Sequence, residues 1–239
     1  MPDLSFLIFV GLASVIGAIV QSSVGLGLGL VTAPIMTLLF PSLMPGALLV
    51  VAAILPMLTV AREMRHVDKA GLGWAFGGRL AGTPLGAWVV AAVPSRALGV
   101  AVGGMVLVAV GATMWSGIVP RNPGTLTAAG VLAGTTGTAT SIGGPPMALL
   151  YQRESGPKVR STLGVFFTIG ALLSLFTLAV AGQLPSRQVN AGLALTPFVL
   201  AGFLLAGPVR RFVDDGRLRV GILIVTSASA LTLIVRSLL

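Results

Sequence analysis

The 239-residue chain is 55% hydrophobic and only 9% charged, with a mean hydropathy of +1.01. Soluble domains carry about 25% charged residues, so a water-soluble surface is excluded, and the absence of cysteine excludes disulfides, thiolate nucleophiles and cysteine-ligated metals. The net charge of +9 lies in short stretches between apolar runs, the orientation signal of a membrane protein rather than a nucleic-acid surface.

The N-terminus, "MPDLSFLIFVGL", has no basic region before its apolar stretch, so no cleavable signal peptide is expected. The same run then reaches "QSSVGLGLGLVTAP" (21–34), where Gly25, Gly27 and Gly29 alternate with leucine and Pro34 follows. Glycine and proline weaken a helix interior by about 1 and about 3 kcal/mol relative to alanine. A segment that merely crosses a bilayer has no use for them. The sequence predicts a broken hairpin over residues 5–40, with its tip at Ser22–Gly29.

Apolar runs of spanning character follow at Leu48–Ala61, Leu72–Val93 and Leu98–Trp115, then at Leu163–Ala181, Ala191–Ala206 and Val220–Val235. A helix needs about 20 residues to cross the hydrocarbon core. Within the second run stands Arg79, in "WAFGGRLAGTPLG", and a charge at that depth faces a cavity or a partner. The six acids, Asp3, Glu63, Asp68, Glu154, Asp214 and Asp215, all lie near loops or the terminus, so no carboxylate is placed beside it. An arginine fork without an acid suits an oxyanion; snorkelling to the interface or capping broken-helix carbonyls are the other uses of such a side chain.

Residues 126–152 lie between Arg121 and Arg153, both basic positions. If both are cytoplasmic, about 27 residues must go in and come back, too few for two full spans at 1.5 Å per residue. A re-entrant hairpin with "TSIGG" at its tip fits, and two full crossings are the other solution.

"SSVGLGLGLVTAPIMTLL" (22–39) and "TSIGGPPMALL" (140–150) share a pattern, and 81–104 can be laid on 201–224 at an offset of 120. Loops rich in basic residues in one half face poor ones in the other: 62–69 against 183–190, 153–160 against 41–46, and 210–219 against 94–96. Basic loops stay cytoplasmic, so the halves are predicted to be upside down relative to each other, a transporter architecture with its site at the repeat interface. The fold class is an all-α polytopic membrane protein of two inverted repeats, residues 1–120 and 121–239. Each is a re-entrant or broken-helix hairpin plus three transmembrane helices.

Broken helices are tolerated at membrane depth where they line a cavity, and half-helix N-termini attract anions. The predicted substrate site therefore comprises Ser22, Ser23, Gly25, Gly27, Gly29, Thr32 and Pro34 from the first tip. Thr138, Thr140, Ser141, Gly143, Gly144, Pro145 and Pro146 come from the second, together with Arg79. Isolated glycines such as Gly99, Gly103 and Gly111 are read as helix packing.

The pair "GLGLGLVTAP" and "SIGGPPMALL", each opening a half, with "AGTPLGAWVVAAVPSRALGVAVGG" beyond the first, resembles the sulfite exporter TauE/SafE family, also called the toluene sulfonate uptake permease group. The resemblance covers nearly the whole chain. It implies a bacterial or archaeal inner-membrane carrier of sulfite or sulfur-containing organic anions, with Gly27–Pro34 and Gly143–Pro146 at the family's motif positions. At 207–216, "GPVRRFVDDG" departs from the first copy's apolar continuity.

No Walker A motif is present, and the single histidine, His66, lies in a basic loop. Any coupling is expected to come from the substrate's own proton or from the anion gradient. No cofactor or metal is expected; the partners are a small anion and the lipid bilayer, and a homo-oligomer is compatible with the sequence. An anion channel or uptake permease uses the same tips, though neither tip carries the asparagine of aquaporin-type pores. An intramembrane enzyme would need a nucleophile–base pair or metal ligands that this sequence does not supply.

Overall fold

In the computed structural model, residues 3–114, 119–213, 227–228 and 230–235 are described, and among them all regular structure is helical. In chain order these are α1 (Leu4–Val24), α2 (Leu28–Leu39), α3 (Gly46–Glu63), α4 (Lys69–Ala92) and α5 (Ser95–Met114). Then come α6 (Pro123–Thr140), α7 (Gly144–Tyr151), α8 (Gly156–Val180) and α9 (Ser186–Val213), with a last helical stretch over residues 230–235. Asp214, Asp215, Arg217, Arg219 and much of the apolar run 220–235 lie outside the described residues.

Local chemistry sets the boundaries. Asp68 caps α4 by accepting the Gly71 N–H at 3.0 Å, and Asn122 and Thr125 form a reciprocal capping box at the start of α6. Pro123 and Pro157 occupy first-turn positions of α6 and α8, where their missing N–H is not needed.

The bundle has a charged end and an opposite end. At the charged end Arg160 pairs with Glu63, Tyr151 donates to Asp68 at 3.0 Å, and Arg121 and Lys158 meet Glu154. At the opposite end the Gln188 side chain accepts the Gly46 N–H at 2.9 Å and donates to the carbonyls of Ser42 and Met44. Phe6 and Phe40 meet edge to face there, 5.3 Å between centroids. Thus α1 leaves the opposite end and α2 returns to it, while α6 leaves the charged end and α7 returns. α3 runs from the opposite end to the charged end, and α8 runs back.

Two helix pairs are parallel. Gly78, Gly82 and Gly86 of α4 lie against the backbone oxygens of Thr127, Val131 and Thr135 of α6, so closely that a Cβ at any of the three would overlap them. Gly11 and Gly202 mark the corresponding approach of α1 and α9, against Phe198 and Val15. Small residues at four-residue spacing permit such backbone contact where lipid supplies no hydrophobic drive.

Around an apolar core, large apolar side chains also face outward and several polar ones are buried. Leu12, Ile16, Trp74, Trp88, Phe176 and Leu204 are exposed, while Ser14, Thr32, Arg79, Thr138, Ser161 and Ser174 are buried. Among the described residues four helices are long and apolar enough to cross a membrane: Leu4–Val24, Gly46–His66, Gly156–Val180 and Ser186–Gly207. The run at 72–93 forms the 24-residue α4, about 36 Å long, but its glycines and Arg79 dilute its hydropathy. α2 and α7, at 12 and 8 residues, reach only about 18 and about 12 Å.

Candidate functional site

α1 ends where Gly25 turns left-handed (φ 95°) and its N–H bonds the Gln21 carbonyl at 2.7 Å. That backbone region disfavours side chains, so glycine closes the helix. Three residues later, at Leu28, α2 begins, and the Gln21 side-chain oxygen accepts the Leu28 N–H at 3.0 Å. No other side chain caps α2. Its next two N–H groups, on Gly29 and Leu30, have no partner within the helix.

The second break is built differently. Ser141 ends α6 in the left-handed region (φ 61°), a conformation that costs a non-glycine residue about 1–2 kcal/mol. Its hydroxyl donates to the Pro45 carbonyl at 3.0 Å, and the Thr140 hydroxyl accepts the Ile142 N–H at 3.3 Å. α7 then opens with Gly144, Pro145 and Pro146. Prolines lack N–H groups, so Gly144 is the one first-turn donor this half-helix can offer.

The two breaks touch. A Cβ on Gly29 would stand 2.8 Å from the Ser141 carbonyl oxygen, and Gly144 packs against Leu26.

Arg79 reaches the same place. It sits between Gly78 and Gly82 on the face of α4 that presses against α6, so the close backbone contact fixes its origin. The side chain runs over the Phe166 ring, its guanidinium carbon 4.7 Å from the centroid, and fills the space beside Gly170. Arg79 is 3% exposed, and its buried Nε and Nη1 have no hydrogen-bond partner. The ion pairs among the described residues engage Arg121, Lys158 and Arg160, and none involves Arg79. A buried guanidinium without an acid is costly, and aromatic contact offsets only part of that cost.

These elements line a partly open cavity of about 50 Å³. Gln21, Gly27, Gly29, Arg79, Ser141, Gly143 and Gly144 line its polar side, and Leu30, Leu49, Phe167 and Ala171 its apolar side. A water needs at least about 10–15 Å³ measured this way, so the space accommodates a few waters or one small ion.

Other residues singled out from the sequence fall outside this lining. Ser22 lines a separate cavity at the charged end, and the Ser23 hydroxyl bonds back to the Ile19 carbonyl at 2.8 Å. Gly25 lies against the Arg160 backbone. Thr32 and Pro34 are buried within α2, the Thr32 hydroxyl unpartnered and facing Gly17. Thr138 is spent on Ser174, 2.8 Å away, and Thr140 on the break itself. Pro145 and Pro146 shape the first turn of α7. Sequence reasoning missed Gln21, although an amide closing a long apolar run was a legible signal, and it missed Phe166, whose partnership with Arg79 crosses from α8 to α4. Among the described residues no group of His, Cys, Asp and Glu could hold a metal ion.

A family model described as sulfite exporter TauE/SafE matches residues 9–233, and the chain belongs to that family. Comparison with curated proteins and with solved structures gave no match.

Proposed function

Taking that membership as the premise, which makes the chain a multi-pass membrane transporter of sulfur anions, we propose that it is a secondary exporter of sulfite or a small sulfur-containing organic anion. It works in the inner membrane of a bacterium or archaeon and binds its substrate in the cavity where the two helix breaks meet. The carrying observation is Arg79: a buried guanidinium with two unpartnered nitrogens and, among the described residues, no carboxylate partner, in a cavity bounded by both breaks. An oxyanion there accepts from the fork of Arg79 and from the N–H groups of Gly29, Leu30 and Gly144, all preoriented by helices. The α2 terminus supplies more of these donors than the proline-opened α7.

The chain is further read as two inverted repeats, 1–120 and 121–239, each contributing one break as a re-entrant hairpin. Supporting this, α1–α2 and α6–α7 each start and finish at one end of the bundle, and those ends are opposite. The parallel pairs α4–α6 and α1–α9 exchange under the same interchange of halves, and α3 pairs antiparallel with α8. Such architectures place the site at the repeat interface.

The test is sulfite efflux from loaded proteoliposomes. Saturable efflux inhibited by related sulfur oxyanions, and lost in Arg79→Ala and Gly143→Leu, is the expected result. Non-saturable conductance would make the protein a channel, and full efflux in Arg79→Ala would remove that residue from the site.

A further inference from the structure

A second cavity, of about 70 Å³, lies at the charged end. Ser22, Thr59, Arg62, Glu63 and Phe203 line it. Arg62 is exposed and stacks on Phe203, 4.4 Å from the ring centroid, and forms no ion pair among the described residues. The buried Ser22 hydroxyl has no partner. The last turn of α1 borders both this space and the central cavity, because Gln21 lines one and Ser22 the other.

That turn is clasped. Arg160, 8% exposed, bonds both carboxylate oxygens of Glu63 through Nε, at 3.0 and 3.2 Å, and through Nη2. Its Nη1 comes within 3.5 Å of the Ser23 carbonyl oxygen, and its backbone abuts Gly25. One ion pair thereby ties the end of α3, the start of α8 and the first break together. Glu63 is neutralised by the pair, which leaves Arg62 as the uncompensated charge at the cavity among the described residues.

We propose that the charged-end cavity is the antechamber of the central site, an anion station built on Arg62 and Ser22, and that the Arg160–Glu63 pair is the gate between them. The gate rests on the reading of the central cavity as the substrate site. At the opposite end the second break is held by the Ser141 hydroxyl on the Pro45 carbonyl, and the segment before Pro45 by Gln188 on Met44 and Ser42 and by the Arg187 guanidinium on the Ser42 hydroxyl, with no ion pair between them among the described residues. The carboxylate–guanidinium pair thus stands at the charged end alone, and breaking it opens the central cavity to that end and not to the other.

The chain's lack of cysteine makes the test direct. A single cysteine at Ala52, in the wall of the central cavity, is labelled with a membrane-impermeant methanethiosulfonate from each side of oriented vesicles. Glu63→Gln is expected to raise the labelling rate about tenfold or more from the charged end and leave the other side unchanged. Glu63→Asp, which keeps the charge and shortens its reach, gives a smaller rise on the same side and carries the test if the first variant does not fold. Labelling unchanged in both variants, or accelerated equally from both sides, overturns the gate. Labelling needs no substrate, so such a failure alongside Arg79-dependent sulfite efflux would sink the gate and leave the central site standing.

Discussion

Gly29 and Ser141 hold the two helix breaks in register: the Cβ that Gly29 lacks would lie 2.8 Å from the Ser141 carbonyl oxygen. Backbone cannot yield there as a flexible side chain could. Gly29→Ala is therefore expected to part the breaks and reduce sulfite flux at least about tenfold in a protein that still folds. Gly77→Ala, on α4 with nothing near its Cβ position, is the control and leaves flux unchanged.

Arg79 is expected to trade stability for function. Replacing a buried ion by an apolar side chain of similar length is often neutral or stabilising by about 1–4 kcal/mol. Arg79→Met should abolish sulfite transport while the melting temperature in detergent holds or rises. A melting temperature that falls by several degrees would assign the side chain a structural role against Phe166.

Gly170 makes room for the guanidinium, and a Cβ there would overlap it. Gly170→Ala is expected to displace Arg79 and weaken sulfite binding, read as a raised half-saturation concentration. Wild-type half-saturation would mean that the fork is free to relocate.

Gln21 separates two roles in one side chain. Gln21→Glu keeps an oxygen for the Leu28 N–H but places negative charge beside the cavity, so it should fold and lose anion affinity by about tenfold or more. Gln21→Leu leaves the buried N–H unpaired and should cost about 1–3 kcal/mol of stability, seen in thermal denaturation. Equal flux in the acid variant and the wild type would rule out an anion at this position.

The charged end gives a pH dependence. Burial pushes the Asp68 carboxyl upward, but the Gly71 N–H, the Tyr151 hydroxyl and nearby Arg121 outweigh it and hold the group below its ordinary range. Hydrogen bonds from Arg121 and Lys158 lower Glu154 likewise. A carboxylate depressed in the folded state contributes stability that is complete above its unfolded pKa, about 4, and is lost as pH falls through the folded value. Melting temperature should be level from pH 7 to about 5 and decline below about 4, with a shallower decline in Asp68→Asn. An undiminished slope in that variant would assign the acid sensitivity elsewhere.

Much of this was legible along the chain. Hydropathy alone settled the membrane class, because 9% charged residues cannot clothe a soluble surface. Gly25 and the glycine–proline run at 143–146 marked a helix end and a helix start, because φ > 0 and a missing N–H are local properties, whereas Pro34 lies inside α2 and breaks nothing. That Arg79 has no acid beside it among the described residues was readable, because all six acids lie near loops or the terminus.

Tertiary structure alone decided which of those residues share a cavity. Ser22 and Gln21 are neighbours in the chain yet line different spaces, since successive helical positions lie about 100° apart and α1 runs between the two. Thr138 carries the same hydroxyl as Ser141 but spends it on Ser174, across on α8. Arg160, whose position in the sequence reads as a loop cation, becomes a buried clasp because α3 brings Glu63 to it from 97 positions away. Composition and spacing fix what a residue can do; which partner meets it depends on how the helices cross, and for Arg79 that crossing is the glycine contact of α4 with α6.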